Sequence, residues 1–160
     1  MISKSKGSFY GLQPRWLGSD RLYHIFITSN AFCGAKVAGQ FYDGQSAQNQ
    51  LSQLGVLAIP IIKWLLRKHE EKRNMYDNLD PMSSTFLEAD KHNFRILKEE
   101  VRRILIYRKR SWWTASSPNS GTIKFQMLDG KTRDFILVGI QDVLQIEASV
   151  RNLVTDVTYR

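Results

Sequence analysis

The sequence has little of what catalytic or metal-dependent chemistry usually requires. Its single cysteine, Cys33, excludes an internal disulfide framework and fits a reducing compartment. The three histidines, His24, His69 and His92, lie at spacings that match no metal-binding motif. The segment 34–39 places a lysine between two glycines but lacks the order of a phosphate-binding loop. We therefore expect no cofactor, no metal site and no enzymatic activity.

An enzyme that uses Cys33 or His24 is the least favoured alternative. A thiol and a histidine that are distant in sequence can form a nucleophile pair when they meet in the fold. A lone cysteine within a strand is more often a small buried hydrophobic residue, and a mid-strand histidine is more often packed or hydrogen-bonded.

Long apolar runs are also missing. The most apolar stretch, Leu54 to Leu66, contains Lys63 and is shorter than the ~20 residues that a membrane-spanning helix needs. No apolar run follows Met1 to Lys6, so we expect no secretory signal and a cytoplasmic protein. The formal net charge of +8 suggests phosphate, anionic lipid or an acidic protein as the partner, with a simply solvated basic surface as the alternative.

What is present is a series of hairpin patterns, centred on the stretch from Ser84 to Val138. The dipeptide Asp129-Gly130 between two apolar runs is the strongest short hairpin signal. Strand patterns occur at about 21–28, 31–42, 84–90, 93–98, 101–113, 121–128 and 131–138. We predict a mainly β fold, a seven-stranded antiparallel barrel or sandwich capped by a C-terminal helix at 140–154.

The remaining segments complete a single domain, residues 1–160. Residues 1–20 are predicted to be a loop-like lid on the core, because Gly7, Gly11, Pro14 and Gly18 interrupt them. Residues 45–75 change to helical spacing and form an insert between the second and third strands, with a kink or two abutting helices at Pro60. The small residues around Gly34 indicate either that another element approaches the second strand closely or that this strand bends at a bulge.

The order of elements resembles that of bacterial pleckstrin-homology-like (PH-like) and GRAM-like domains. The run Ala89 to Val101 is similar to their strand, turn, strand and polar break, and the hairpin Gly121 to Val138 with its following helix is similar to their closing elements. The resemblance covers 20–42 and 84–154, and the insert at 45–75 departs from it. It implies a binding or scaffolding module, often associated with membranes, without catalysis. No lysine and arginine motif of the family matches here, so no ligand residue is transferred.

Two clusters combine basic and aromatic side chains. On the insert, an apolar face with a basic flank is typical of a helix in a membrane interface, although a core helix or a dimer contact is the alternative. At the end of the fifth strand, tryptophans beside arginines can contact nucleic acid or lipid headgroups, or simply close the barrel. The residues are Lys63, Trp64, Arg67 and Lys68 on the insert, and Arg108, Lys109, Arg110, Trp112 and Trp113 at the strand end.

The sequence therefore predicts a non-enzymatic PH-like interaction module. Its expected partner is a protein or an anionic membrane surface, which would place it in the cytoplasm at the inner membrane face. A nucleic-acid-binding protein that uses the basic and tryptophan patch is the alternative. The 45–75 helix is also a candidate contact for a homo-oligomer.

Overall fold

The computed structural model describes residues 6–39, 58–112, 114 and 118–159, and these form a mainly β fold with a few helices. The strands are β1 (Gly7–Gln13), β2 (Arg21–Ile27), β3 (Ala31–Ala38), β4 (Phe94–Leu97), β5 (Val101–Tyr107), β6 (Asn119–Met127), β7 (Thr132–Val138) and β8 (Val157–Tyr159). The helices are α1 (Ala58–Asp77), α2 (Ser84–Glu88) and α3 (Val143–Arg151), with a 3-10 turn at Lys98–Glu100.

All eight strands belong to one sheet in the order β4-β3-β2-β1-β7-β6-β5-β8. The pairs are antiparallel except β5 with β8, which is parallel. The sheet is curled, as contacts between aromatic rings of strands far apart in this order show. The ring centroids of Phe32 and Phe125 are 4.9 Å apart, and Phe94 stacks on Phe135 with 5.7 Å between centroids. It is nevertheless open, since β4 and β8 remain edge strands.

Both faces of the central strands are buried. Because neighbouring side chains on a strand point to opposite faces, Tyr23, Ile25 and Ile27 of β2 enter the inner core while Leu22 and Phe26 enter the outer one. Helix α3 adds buried side chains to the inner core, and helices α1 and α2 add theirs to the outer core. Burial on both sides explains why β2 is apolar with hardly a break.

Two glycines allow elements to approach closely. A Cβ on Gly34 would lie 2.2 Å from the ring of Phe94 on the paired strand β4. A Cβ on Gly11 would lie 2.8 Å from the Cβ of Phe135. The close approach predicted around Gly34 is confirmed, and the partner is an aromatic side chain.

The predicted loop-like lid at 1–20 is wrong for residues 7–13, which form β1 between β2 and β7. The alternation of Phe9 on the inner core with Leu12 on the outer one shows that this is a two-sided strand. The predicted strand at 84–90 is also wrong. Ser83 accepts a hydrogen bond from the backbone N–H of Phe86 at 3.1 Å, and this cap starts helix α2 instead.

The predicted seven-stranded antiparallel barrel or sandwich is corrected by the structure, which has one open sheet of eight strands with one parallel pair. Val157–Tyr159 lies beyond the last predicted element and adds β8 as an eighth, parallel strand. Strand β5 ends at Tyr107, so the predicted strand 101–113 is too long. Strands β2, β3 and β4, the β6–β7 hairpin and helix α3 lie where they were predicted.

The helical insert is confirmed from Ala58 onward and runs on to Asp77; its predicted portion 45–57 lies outside the described residues. Pro60 sits in the first turn of α1, where a missing N–H costs no intrahelical bond. Ile59 and Pro60 belong to one helix, and the residues that a second, preceding helix would need lie outside the described residues. No helix among the described residues is long and apolar enough to cross a membrane.

Candidate functional site

A cavity of about 600 Å³ opens between the β1–β2 loop, the turn before β4 and the first residues of β7. Tyr23 and Phe94 line it together with basic side chains from all three segments. The basic residues are Arg15, Arg21, Lys91 and Arg133, with His92 beside them. We call this the basic cavity.

The charge of the basic cavity is one-sided. None of the described residues that line it carries a carboxylate. The guanidinium of Arg133 lies 4.3 Å from the centre of the Phe94 ring, which fixes it over an aromatic wall. Burial lowers the pKa of His92, the positive charges of Arg21 and Lys36 lower it further, and the Asp90 carboxylate raises it. The four basic side chains, with no carboxylate among the described lining residues, favour an anionic ligand.

The β1–β2 loop at the mouth of this cavity presents two large apolar side chains to solvent. Trp16 is 89% exposed and Leu17 is 81% exposed. The loop is held by a hydrogen bond of 2.9 Å from the backbone N–H of Arg15 to the Asp20 carboxylate, and Gly18 turns it with a positive φ of 95°. A tied loop with an exposed tryptophan beside a basic cavity has the components of an interfacial contact.

The four candidate residues on the insert lie on α1, outside the basic cavity. Lys63, Arg67 and Lys68 are exposed, and Trp64 is 51% exposed. The ammonium of Lys68 lies 5.9 Å from the centre of the Trp64 ring. Arg67 forms an exposed ion pair with Glu71 at 3.7 Å, a geometry that contributes little to stability.

The second predicted cluster lies at the far end of β7. Asn119 pairs with Val138, and its side chain bonds both backbone groups of Ser111. Val138 is five residues along β7 from Arg133, so roughly 17 Å separates this loop from the basic cavity. This second cluster is therefore not brought together with the basic cavity.

Within that loop, Arg108 is engaged by Glu147 of α3 at 2.9 Å and lies over the ring of Tyr159 at 5.5 Å. Lys109 and Arg110 are exposed, and Trp112 is 83% exposed. Trp113 lies outside the described residues. Because Arg108 already has a carboxylate partner, this cluster offers nucleic acid fewer positive charges than its sequence suggests.

The residues of the enzyme alternative lie inside the protein. Cys33 is completely buried, and burial raises the pKa of its thiol, the opposite of what a thiolate nucleophile needs. His24 is only 6% exposed and stacks between Tyr10 and Phe26, with ring centroids 4.4 Å and 4.1 Å away. No group of three side chains that could hold a metal ion occurs in the described part of the chain.

Sequence reasoning missed the basic cavity because its residues come from three distant segments. One signal was available: Arg15, Trp16 and Leu17 stand between Pro14 and Gly18, a turn composition that carries a basic and two large apolar residues. That group was interpreted as part of a lid on the core. Exposure of Trp16 and Leu17 corrects this interpretation.

The sequence was compared with protein-family models, and no family model matches it. Comparison with curated proteins also finds no match. The site is therefore interpreted from its own geometry.

Proposed function

We propose that this protein is a non-enzymatic PH-like module that binds an anionic membrane surface through the basic cavity and the Trp16–Leu17 tip. The single observation that carries the proposal is their juxtaposition: a cavity whose described lining is basic and free of carboxylates, bordered by two exposed apolar side chains on a tied loop. The PH-like part is supported by seven strands paired in the order β4-β3-β2-β1-β7-β6-β5, followed by α3 packed on the inner core.

Each half of this surface suits one part of a bilayer. Phosphate groups of anionic lipids attract basic side chains, at about 1 kcal/mol for each one near the surface. Trp16 and Leu17 would enter the boundary between headgroups and acyl chains, where an indole ring is favoured. A soluble polyanion would use the basic cavity but would gain nothing from the apolar tip, so the tip favours a membrane over a free phosphate.

Sedimentation with vesicles tests the proposal. The wild-type protein is expected to bind phosphatidylcholine vesicles that contain about 30 mol% phosphatidylserine, and to be released as salt rises because exposed charges are screened. Vesicles of phosphatidylcholine alone should bind much less. Absence of binding to anionic vesicles at low salt would remove the membrane function.

A pair of variants with equal net charge locates the contact. Replacing both Arg21 and Arg133 by Gln should weaken binding by a factor of about 10 to 30, if each charge contributes about 1 kcal/mol. The control is Lys6→Gln with Lys98→Gln, since the backbones of these exposed residues bond Ile27 and Asn30 at the far end of β2. Equal loss in the two double variants would show that net charge alone, not the basic cavity, drives binding.

A further inference from the structure

We propose that the first half of α1, residues 59–68, is a second membrane contact. The protein would then bind an anionic bilayer through two surfaces, the basic cavity with its Trp16–Leu17 tip and this part of α1. This inference rests on the proposed membrane function and concerns how the protein is oriented there. It assigns a role to the helical insert, which the basic cavity does not use.

The second half of α1 anchors the helix to the sheet. Tyr76 is fully buried and meets the ring of Phe86 with 5.5 Å between centroids. The ammonium of Lys72 pairs with the Asp90 carboxylate at 2.8 Å. Because these contacts fix one end of a continuous helix, the direction of its other end is fixed as well.

The axis of α1 follows β3 toward the end of that strand. Asp77 lies beside His24, which pairs with Ala35 in the middle of β3. Lys68, about two and a half turns earlier on the helix, shares a cavity with Gly39, just beyond the end of β3. At 1.5 Å per residue, the nine residues from Lys68 back to Ile59 extend roughly 14 Å further.

This direction places the free half of α1 at the same end of the sheet as the Trp16–Leu17 tip. Gly39 lies next to the β1–β2 loop, since a Cβ built on it would be 3.8 Å from the carbonyl oxygen of Asp20. Strand β2 begins at Arg21 of the basic cavity, and its second residue pairs with the last residue of β3. The helix and the loop therefore project from one end.

The side chains on this half of α1 match an anionic interface. Every described side chain between 59 and 68 is exposed, although Ile59, Trp64 and Leu66 are large and apolar. Three basic residues lie among them: Lys63, Arg67 and Lys68. A helix that carries tryptophan and leucine among lysines and arginines lies in the headgroup region, where both kinds of side chain are accommodated. Because this half of α1 lies at the same end of the sheet as the proposed membrane surface, we assign the bilayer as its binding partner.

Charge-matched triple variants test the second membrane contact. Lys63→Gln, Arg67→Gln and Lys68→Gln together should weaken binding to phosphatidylserine vesicles by a factor of about 100, from a factor of about five per charge. The control removes three exposed charges elsewhere, at Lys6, Lys98 and Arg102. If the two triple variants bind alike while the Arg21 and Arg133 double variant binds weakly, the proposal of a second membrane contact is wrong and the proposal for the basic cavity is retained. If the wild-type protein does not bind, both the membrane function and the second contact are wrong.

Tryptophan quenching gives an independent readout. A variant with Trp16, Trp112 and Trp113 replaced by Phe keeps Trp64 as its sole tryptophan, and its emission should be quenched by brominated anionic vesicles. The counterpart that keeps only Trp112, beyond the far end of β7, should stay unquenched at vesicle concentrations at which sedimentation shows that this variant is bound. Quenching of Trp112 with none at Trp64 would overturn the proposal, because the opposite end of the molecule would then face the bilayer.

Discussion

The packing around His24 links the stability of the protein to pH. Its ring is buried, its Nδ1 atom has no hydrogen-bond partner among the described residues, and the Asp77 carboxylate lies 3.6 Å away. Burial lowers the pKa of His24 to about 4, against the raising influence of Asp77 and with a smaller lowering influence of Arg73. The folded protein therefore holds a neutral imidazole at pH values where the unfolded chain already binds a proton.

Stability is expected to fall as pH drops through the window between 6.5 and about 4. In that window the unfolded state carries more protons, so the free energy of unfolding should decrease by about 2 kcal/mol between pH 7 and pH 5. Urea unfolding at the two pH values measures this. His24→Phe keeps an aromatic ring and should flatten this pH dependence. An unchanged slope in that variant would assign the effect to other groups.

Gly34 is constrained by the ring that covers it. Phe94 is enclosed by Tyr23 at 5.1 Å, Phe135 at 5.7 Å and the guanidinium of Arg133 at 4.3 Å, so it cannot easily swing away from an added methyl group. Gly34→Ala should therefore lower the free energy of unfolding by about 1 to 3 kcal/mol through overpacking.

Urea unfolding of Gly39→Ala provides the comparison for Gly34→Ala. The nearest atom to a Cβ at Gly39 is 3.8 Å away, an ordinary contact, and its stability should stay close to that of the wild type. Equal destabilisation of the two variants would mean that lost glycine flexibility or strand position, not the Phe94 ring, governs the cost.

At the scale of elements, one amide side chain joins two helices to the sheet. Asn93 accepts a bond from the backbone N–H of Lys36 on β3 at 2.8 Å. It donates to the carbonyl of Phe86 on α2 at 2.6 Å and to the hydroxyl of Tyr76 on α1 at 2.9 Å. These three bonds satisfy polar groups that surround the outer core.

Replacing Asn93 by Leu should lower the free energy of unfolding by at least about 2 kcal/mol, because several partly buried polar groups lose their partner together. Chemical denaturation measures it, with Asn78→Ala as the control. Asn78 makes an exposed bond within its own segment, to the carbonyl of Asn74, and its loss should be nearly neutral. Similar costs at both positions would show that α1 and α2 are held by apolar packing alone.

The elements that the sequence predicts correctly are those with a strong local pattern. Strand β2 alternates over two buried faces, the β6–β7 hairpin has its Asp129-Gly130 turn, and α3 has an apolar stripe behind the cap at Asp142. Strand β1 was missed because Gly7 and Gly11 were interpreted as loop signals, whereas Gly11 makes room for Phe135. Strand β8 has only three residues and exists through its pairing with β5, which local sequence does not encode.

At the scale of the whole molecule, the candidate site depends on the curl of the sheet. Arg21 on β2 and Arg133 on β7 line one cavity because the sheet brings the start of β7 to the turn before β4. Neither residue stands out in a sequence with 23 lysines and arginines. The clusters that do stand out, on α1 and after β5, were predictable as local composition, but their position relative to each other was not.

Hydrogen exchange on vesicles tests this orientation for the whole molecule. Backbone amides in the β1–β2 loop and in the turn at 91–93 should exchange more slowly on phosphatidylserine vesicles than in solution, because the interface excludes water from both segments. The loop from Arg108 to Trp112 serves as an internal control with comparable exposure, and its exchange should be unchanged. The comparison is informative because both regions are basic and both expose a tryptophan, so composition alone predicts equal protection. Slower exchange confined to Arg108 to Trp112 would instead place the membrane at the far end of β7 and leave the basic cavity facing solvent.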